Sequence, residues 1–278
     1  MAINHLSKIL LITLVSTVAQ PAIAKDPHKI QPKDLPRVFT PTRVEPDRPI
    51  YPWKRNIMAT VFWAGEQPTA NNPTPNCASS WDANWARNFG GYDNPNPAHR
   101  SGFRPAGFIP NLNPFYVALP YNDVASWRSH KPEASKVIPW FHRSYRGPGA
   151  SVCKGRWLAI RYNGKTAYAQ WEDCGPFTTT DWRYVFGNAQ PMTSGNGGAG
   201  IDLSPAVRDY LGMKGNVRLD WRFVEVSEVP SGPWRNWGRN NHFVKLREME
   251  SDEMSRRISR FRSQDTDAWL TEKPNPRG

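Results

Sequence analysis

The chain has 278 residues and a formal net charge of +12, with 13 Trp, 27 Pro and 20 Gly. That mix of Trp, Pro and Gly favours a loop-rich β domain over a helical one. The three Cys, with no C-x-x-C pair and no His partner, argue against a structural metal site, and nothing in the sequence calls for a cofactor.

At the N-terminus, Lys8 precedes the apolar run Ile9–Val15, and Ala22-Ile23-Ala24 follows. A basic start, a short apolar core and an A-x-A site read as a secretory signal peptide over residues 1–24. The run is well short of the ~20 residues that span a bilayer, and no later segment is apolar enough to do so. The expected product is a soluble exported protein, periplasmic or secreted, starting near Lys25 and working as a monomer. Residues 25–56 hold seven prolines and little hydrophobic periodicity, the pattern of a disordered tether. Strand-like sequence begins at Met58-Ala59-Thr60-Val61-Phe62-Trp63. Residues 66–114 are rich in Asn, Pro and Gly, with one short helix expected around Trp81 to Asn88. A stretch this long is expected to fold over the domain and line a site. A second long loop covers 126–151.

Arg156–Tyr162 and Lys165–Trp171 flank Asn163-Gly164, a strong type I′ hairpin signal. Paired residues must then sum to 327. This register puts Leu158, Ile160, Ala167, Ala169, Trp171 and Asp173 on one face and leaves Glu172 on the other as a solvated edge residue. An Asp ending an apolar face has its carboxyl pKa raised by burial, as a general acid requires. Cys153 and Cys174 also sum to 327, on a non-hydrogen-bonded pair where Cα atoms lie ~4.5 Å apart, so a Cys153–Cys174 disulfide is expected in an oxidising compartment. Cys77 bridging to one of them is the alternative.

Ser204 is placed to cap a short helix, with Pro205 at its first position and Gly212 as its stop. Val217, Leu219, Trp221 and Phe223 then alternate with polar residues as in a half-buried strand. From Asn241 to Arg262, Leu246, Met249, Met254, Ile258 and Phe261 recur near helical spacing and predict an amphipathic helix packed on the domain.

Asp173-Cys174-Gly175-Pro176-Phe177 resembles the Asp-x-Gly-Pro-Phe turn of the double-psi β-barrel group that includes rare lipoprotein A-like proteins, expansins and family-45 endoglucanases. Ile201-Asp202-Leu203-Ser204 resembles that group's Ile/Phe-Asp-Leu-Ser motif, and Leu119-Pro120 falls where the group has Leu-Pro. The resemblance spans residues 57–228, with insertions at 66–114 and 126–151, and 229–278 form a linker and helix. It implies a mainly β fold: a six-stranded double-psi barrel with long loop insertions, one short helix and the C-terminal amphipathic helix. Tyr116 stands where rare lipoprotein A-like enzymes carry a His.

The resemblance further implies that Asp173 is an acid/base and Asp202 an acid in a glycan-acting protein. Glycoside hydrolysis needs two carboxyl groups, whereas a lytic transglycosylase needs one. Trp63, Trp171 and Tyr121 could stack on sugar rings, and Asp123 could contact substrate. The expected partner is peptidoglycan or another envelope polysaccharide, cleaved or remodelled. The alternative is an expansin-like module that binds without cleaving. No nucleic-acid motif is present, so no specific nucleic-acid partner is expected.

Overall fold

The computed structural model describes residues 51–69 and 72–271, preceded by the antiparallel strand pair Thr42–Arg43 and Pro49–Ile50; side chains are described to residue 257. The signal peptide and most of the tether lie outside the described residues. Tyr51 is buried and bonded to Glu225 through its hydroxyl at 3.1 Å, so the ordered domain starts ahead of residue 57.

Six strands form a closed barrel: β1 (Lys54–Val61), β2 (Tyr116–Leu119), β3 (Trp157–Tyr162), β4 (Lys165–Cys174), β5 (Ala199–Leu203) and β6 (Val217–Val224). Around the barrel they run β4-β2-β5-β1-β6-β3, and β3 pairs again with β4. β4 lies parallel to β2 and β5 parallel to β1, while every other pairing is antiparallel. Closure leaves no strand edge unpaired.

The β3–β4 hairpin turns at Asn163 and Gly164, both with positive φ, and pairs residues that sum to 327 from Lys165↔Tyr162 to Gln170↔Trp157. Ser204 caps the helix Pro205–Leu211, its side chain accepting from the Val207 N–H at 3.3 Å, and Gly212 ends it with φ 74°. β6 alternates as its sequence requires, with Leu219, Trp221 and Phe223 buried.

The barrel interior is filled by aliphatic residues such as Val117, Leu158, Ile160, Ile201 and Leu203. An aromatic group of Trp140, Trp171, Phe186 and Phe223 fills the rest. Phe223 stacks on Trp171 and Phe186 and meets Trp140 edge-on. Such ring pairs contribute about 0.5–1.5 kcal/mol each beyond the area they bury.

The second loop supplies Trp140 and Phe141 to this core through the short helices Ala134–Val137 and Phe141–Ser144. The short helix expected around Trp81 to Asn88 forms at Trp85–Phe89, and a further one forms at Trp182–Val185.

Two expectations fail. Cys153 and Cys174 are free thiols, as is Cys77. The hairpin register stops at residue 156, where the Arg156 N–H bonds the Cys153 carbonyl in a tight turn. Cys153 therefore never joins the ladder on which the pairing was based. The C-terminal helix His242–Thr271 forms, but it does not pack along the domain over its described side chains. Phe243 packs against Trp157, whereas Leu246, Met249 and Met254 are exposed. Four acids and several basic residues interrupt the stripe, which leaves too little continuous apolar surface to dock it.

The cysteines give a direct check. In the native protein, exposed Cys77 is expected to react with an aromatic disulfide reagent, and Cys153, which is buried and whose thiol is pushed up by burial, only after denaturation. Mass mapping of the labelled peptides before and after unfolding measures this.

Candidate functional site

Ala118 in β2 is paired with Asp173 of β4 on one side and with Asp202 of β5 on the other. Neighbouring strands lie ~4.8 Å apart, so the two Asp Cα atoms are about 10 Å from each other across one small side chain. Asp202 is paired in turn with Thr60 of β1, whose hydroxyl donates to its Oδ1.

Asp173 reaches this surface through an irregularity in β4. Trp171 pairs with Val117 and Asp173 with Ala118, so two residues of β4 advance against one of β2. The slip moves Asp173 off the inward face it would share with Trp171. Asp173 sits on the barrel's outer surface, 7% exposed, and its Oδ1 accepts from the N–H groups of Ser80 and Cys174, both at 2.7 Å.

Thr60, Ala118, Asp173 and Asp202 floor an open groove of about 1090 Å³. One wall comes from the first insertion, including Glu66 and Asn76. Trp63 and the turn Gly175-Pro176-Phe177 line it as well, and Arg208 and Lys214 also contribute. The insertion is held in place by Tyr116. Its hydroxyl donates to buried Asp93 at 2.8 Å and accepts from the Ala64 N–H at 2.9 Å. Asp93 pairs with Arg100 at 2.7 Å, and Arg100 with Asp209 at 2.8 Å. Tyr116 packs among Phe62, Trp85 and Phe89 and is fully buried, so it presents no group to the groove.

Of the residues singled out from the sequence, Asp173, Asp202 and Trp63 line the groove; Tyr121, Asp123 and Trp171 do not. Tyr121 and Trp171 are buried core residues, the Trp171 indole donating to the Asp173 carbonyl at 2.7 Å. Asp123 is buried and anchors the second loop, accepting from the Ser151 hydroxyl at 2.6 Å and the Val152 N–H at 2.8 Å. None of these three can touch a ligand in the groove.

Glu172 is also buried rather than solvated. The segment 233–241 covers that face of β4, and Asn240 donates to Glu172 Oε1 at 3.0 Å. The sequence reading missed Glu66 and Phe177 as groove residues. Phe177 is 61% exposed and presents an aromatic ring at the rim, in the turn that also carries the Gly-Pro signal.

Burial pushes the Asp202 carboxyl up to about 7, with the Thr60 hydroxyl opposing and the charges of Asp173 and Glu66 adding to the rise. Asp173 is also raised by burial, but the Ser80 and Cys174 amides work against it. Burial raises Glu66 too, opposed by the side chains of Asn72 and Asn76. Asp202 is therefore the carboxyl best suited to hold a proton near neutrality, and Asp173 the one better provided with donors for its charged form.

No family model and no curated protein matches the chain. Among solved structures, a Streptomyces papain inhibitor is similar at 18% identity, covering 64% of this chain and 100% of that chain with a TM-score of 0.26. A likeness this slight transfers no residue role and no activity.

Buried Glu172 yields a pH prediction. Burial pushes its carboxyl up to about 7, against an ordinary value of 4.5, and its Oε2 has no partner among the described residues. The folded state therefore favours the protonated form, and the stability this confers is present at acid pH and lost as pH rises through about 7. Glu172→Gln is expected to raise the melting temperature at pH 8, by the equivalent of about 2 kcal/mol, and to leave it nearly unchanged at pH 5. Thermal unfolding at the two pH values checks this.

Proposed function

We propose that this protein is exported and acts on a glycan, binding a polysaccharide strand of the cell envelope in the groove across Ala118. On this reading the barrel is of the double-psi kind, a view supported by its two parallel pairs joined through the antiparallel β2–β5 contact. The observation that carries the proposal is the placing of Asp173 and Asp202 on either side of Ala118, in a groove open to solvent.

In the cleaving mode, Asp202 donates its proton to the glycosidic oxygen as the bond breaks. Asp173, with two amide donors on one carboxylate oxygen, then accepts a proton from the attacking group. That group is a water for hydrolysis or a hydroxyl of the sugar itself for transglycosylation. Phe177 and Trp63 offer faces for sugar rings, and Asn76 and Thr60 offer hydrogen bonds.

A second reading, a module that binds glycan without cutting it, is favoured by one observation. Tyr116 takes the place of the His and is locked under the insertion, so the groove lacks that group.

Incubation with purified envelope glycan separates the two. The cleaving mode predicts soluble fragments from the wild type, and a fall of about 10²–10⁴-fold for Asp202→Asn and for Asp173→Asn with pelleting onto the polymer retained. It also predicts activity that declines as pH rises above about 7, where Asp202 loses its proton. Pelleting without any released fragment supports the binding module. Neither pelleting nor release sinks both.

A further inference from the structure

A second, smaller cavity of about 290 Å³ opens apart from the groove, between the end of the second loop and the start of β3. Its charged lining residues are all cations: Arg146, Lys154 and Arg156. The carboxyl-bearing groove contributes none of these residues.

Arg156 is fixed before any ligand arrives. Its Nη2 donates to Glu225 Oε1 at 2.6 Å and to the Tyr51 hydroxyl at 3.0 Å, and its guanidinium lies 4.2 Å over the Trp140 ring. Its Nε is buried and has no hydrogen-bond partner among the described residues. A buried donor without an acceptor is costly, and a guanidinium already immobilised loses little freedom when it takes one.

Arg146 and Lys154 stand on the same cavity and are held more loosely. Arg146 donates to the carbonyls of Arg143 and Tyr145, and Lys154 reaches the Trp81 carbonyl only at 3.5 Å. Glu225 is shared by Arg156 and Arg143, and Lys154 also acts on the carboxyls of Glu172 and Asp173, but no acid lines the cavity itself, so its lining is positive. The Ser144 and Ser151 positions add polar lining, and Val224, Val226 and Trp157 close the apolar side.

We infer that this cavity binds a doubly charged oxyanion of the phosphate type, free or as a monoester on a larger molecule. Arg156 stands in the wall as a guanidinium already held in place, while Lys154 and Arg146 supply mobile positive charge. The inference does not rest on the glycan reading, because the two sites share no residue.

The test uses the whole mature protein, titrated calorimetrically with inorganic phosphate against chloride at matched ionic strength. The site predicts saturable one-to-one binding of phosphate, weakened at least tenfold in the double variant Arg146→Gln/Lys154→Gln. A charge-matched control, Arg55→Gln/Arg87→Gln, is expected to bind as the wild type does. Arg156→Lys keeps the charge but removes Nε, and its binding is expected to weaken with the fold intact by circular dichroism. Glycerol 3-phosphate binding tighter than inorganic phosphate identifies a monoester as the ligand; equal or weaker binding identifies free phosphate. No saturable binding by the wild type overturns the inference, as does an equal loss in the control pair, which would make the attraction a property of the whole basic surface.

Discussion

Between Trp171 and Asp173 the pairing of β4 with β2 slips by one residue, and the geometry of the groove follows from that slip. Without it, strict alternation would turn Asp173 into the barrel beside Trp171, Phe186 and Phe223, where a carboxyl has no donor. With it, Asp173 comes level with Ala118 and faces the same outer surface as Asp202. Irregularities of this kind re-aim a side chain at the cost of one regular ladder contact. The two amides that meet Asp173, from Ser80 and Cys174, fix the carboxyl in position.

The insertion is the other half of the construction. A bare barrel would leave Asp202 on an open sheet surface, its carboxyl well hydrated. Residues 62–66, 72–76 and 95–97 roof one side and bring Glu66 near it, and the resulting loss of water raises the Asp202 carboxyl. The roof holds because Tyr116, Asp93 and Arg100 form a buried chain from β2 through the loop, which ends on partly exposed Asp209 in the helix after β5. Each charge in that chain has an opposite charge or a hydroxyl as neighbour, and only on that condition is an ion pair tolerated so far from solvent. Tyr116 is thus committed to architecture. The groove gains a stable wall and forgoes a titratable ring.

The two cavities divide the electrostatics of a strongly basic protein. The groove concentrates carboxyl groups whose hold on a proton burial strengthens, while the pocket by Arg156 gathers cations around a rigid guanidinium. A net charge of +12 is silent on that partition, since it sums over surfaces that face different ligands.

Much of the barrel could be read from local chemistry. Asn163-Gly164 set the hairpin and its register because only residues tolerant of positive φ make that turn, and Ser204, Pro205 and Gly212 bounded their helix by capping alone. The alternation of Val217 to Phe223 marked a strand with one buried face, and the resemblance of the segments around Asp173 and Asp202 to known motifs implied both as site residues. Tertiary structure alone decided the rest. Tyr121, Trp171 and Asp123 are sealed in the core because distant segments cover them, and Glu172 is buried because residues 233–241 lie across β4. Cys153 escapes its expected partner because a turn ends the ladder before reaching it. Backbone preference and hydrophobic period act over a few neighbours and are written into the sequence. Burial, register slips and the meeting of strands distant along the chain arise only when the whole barrel closes.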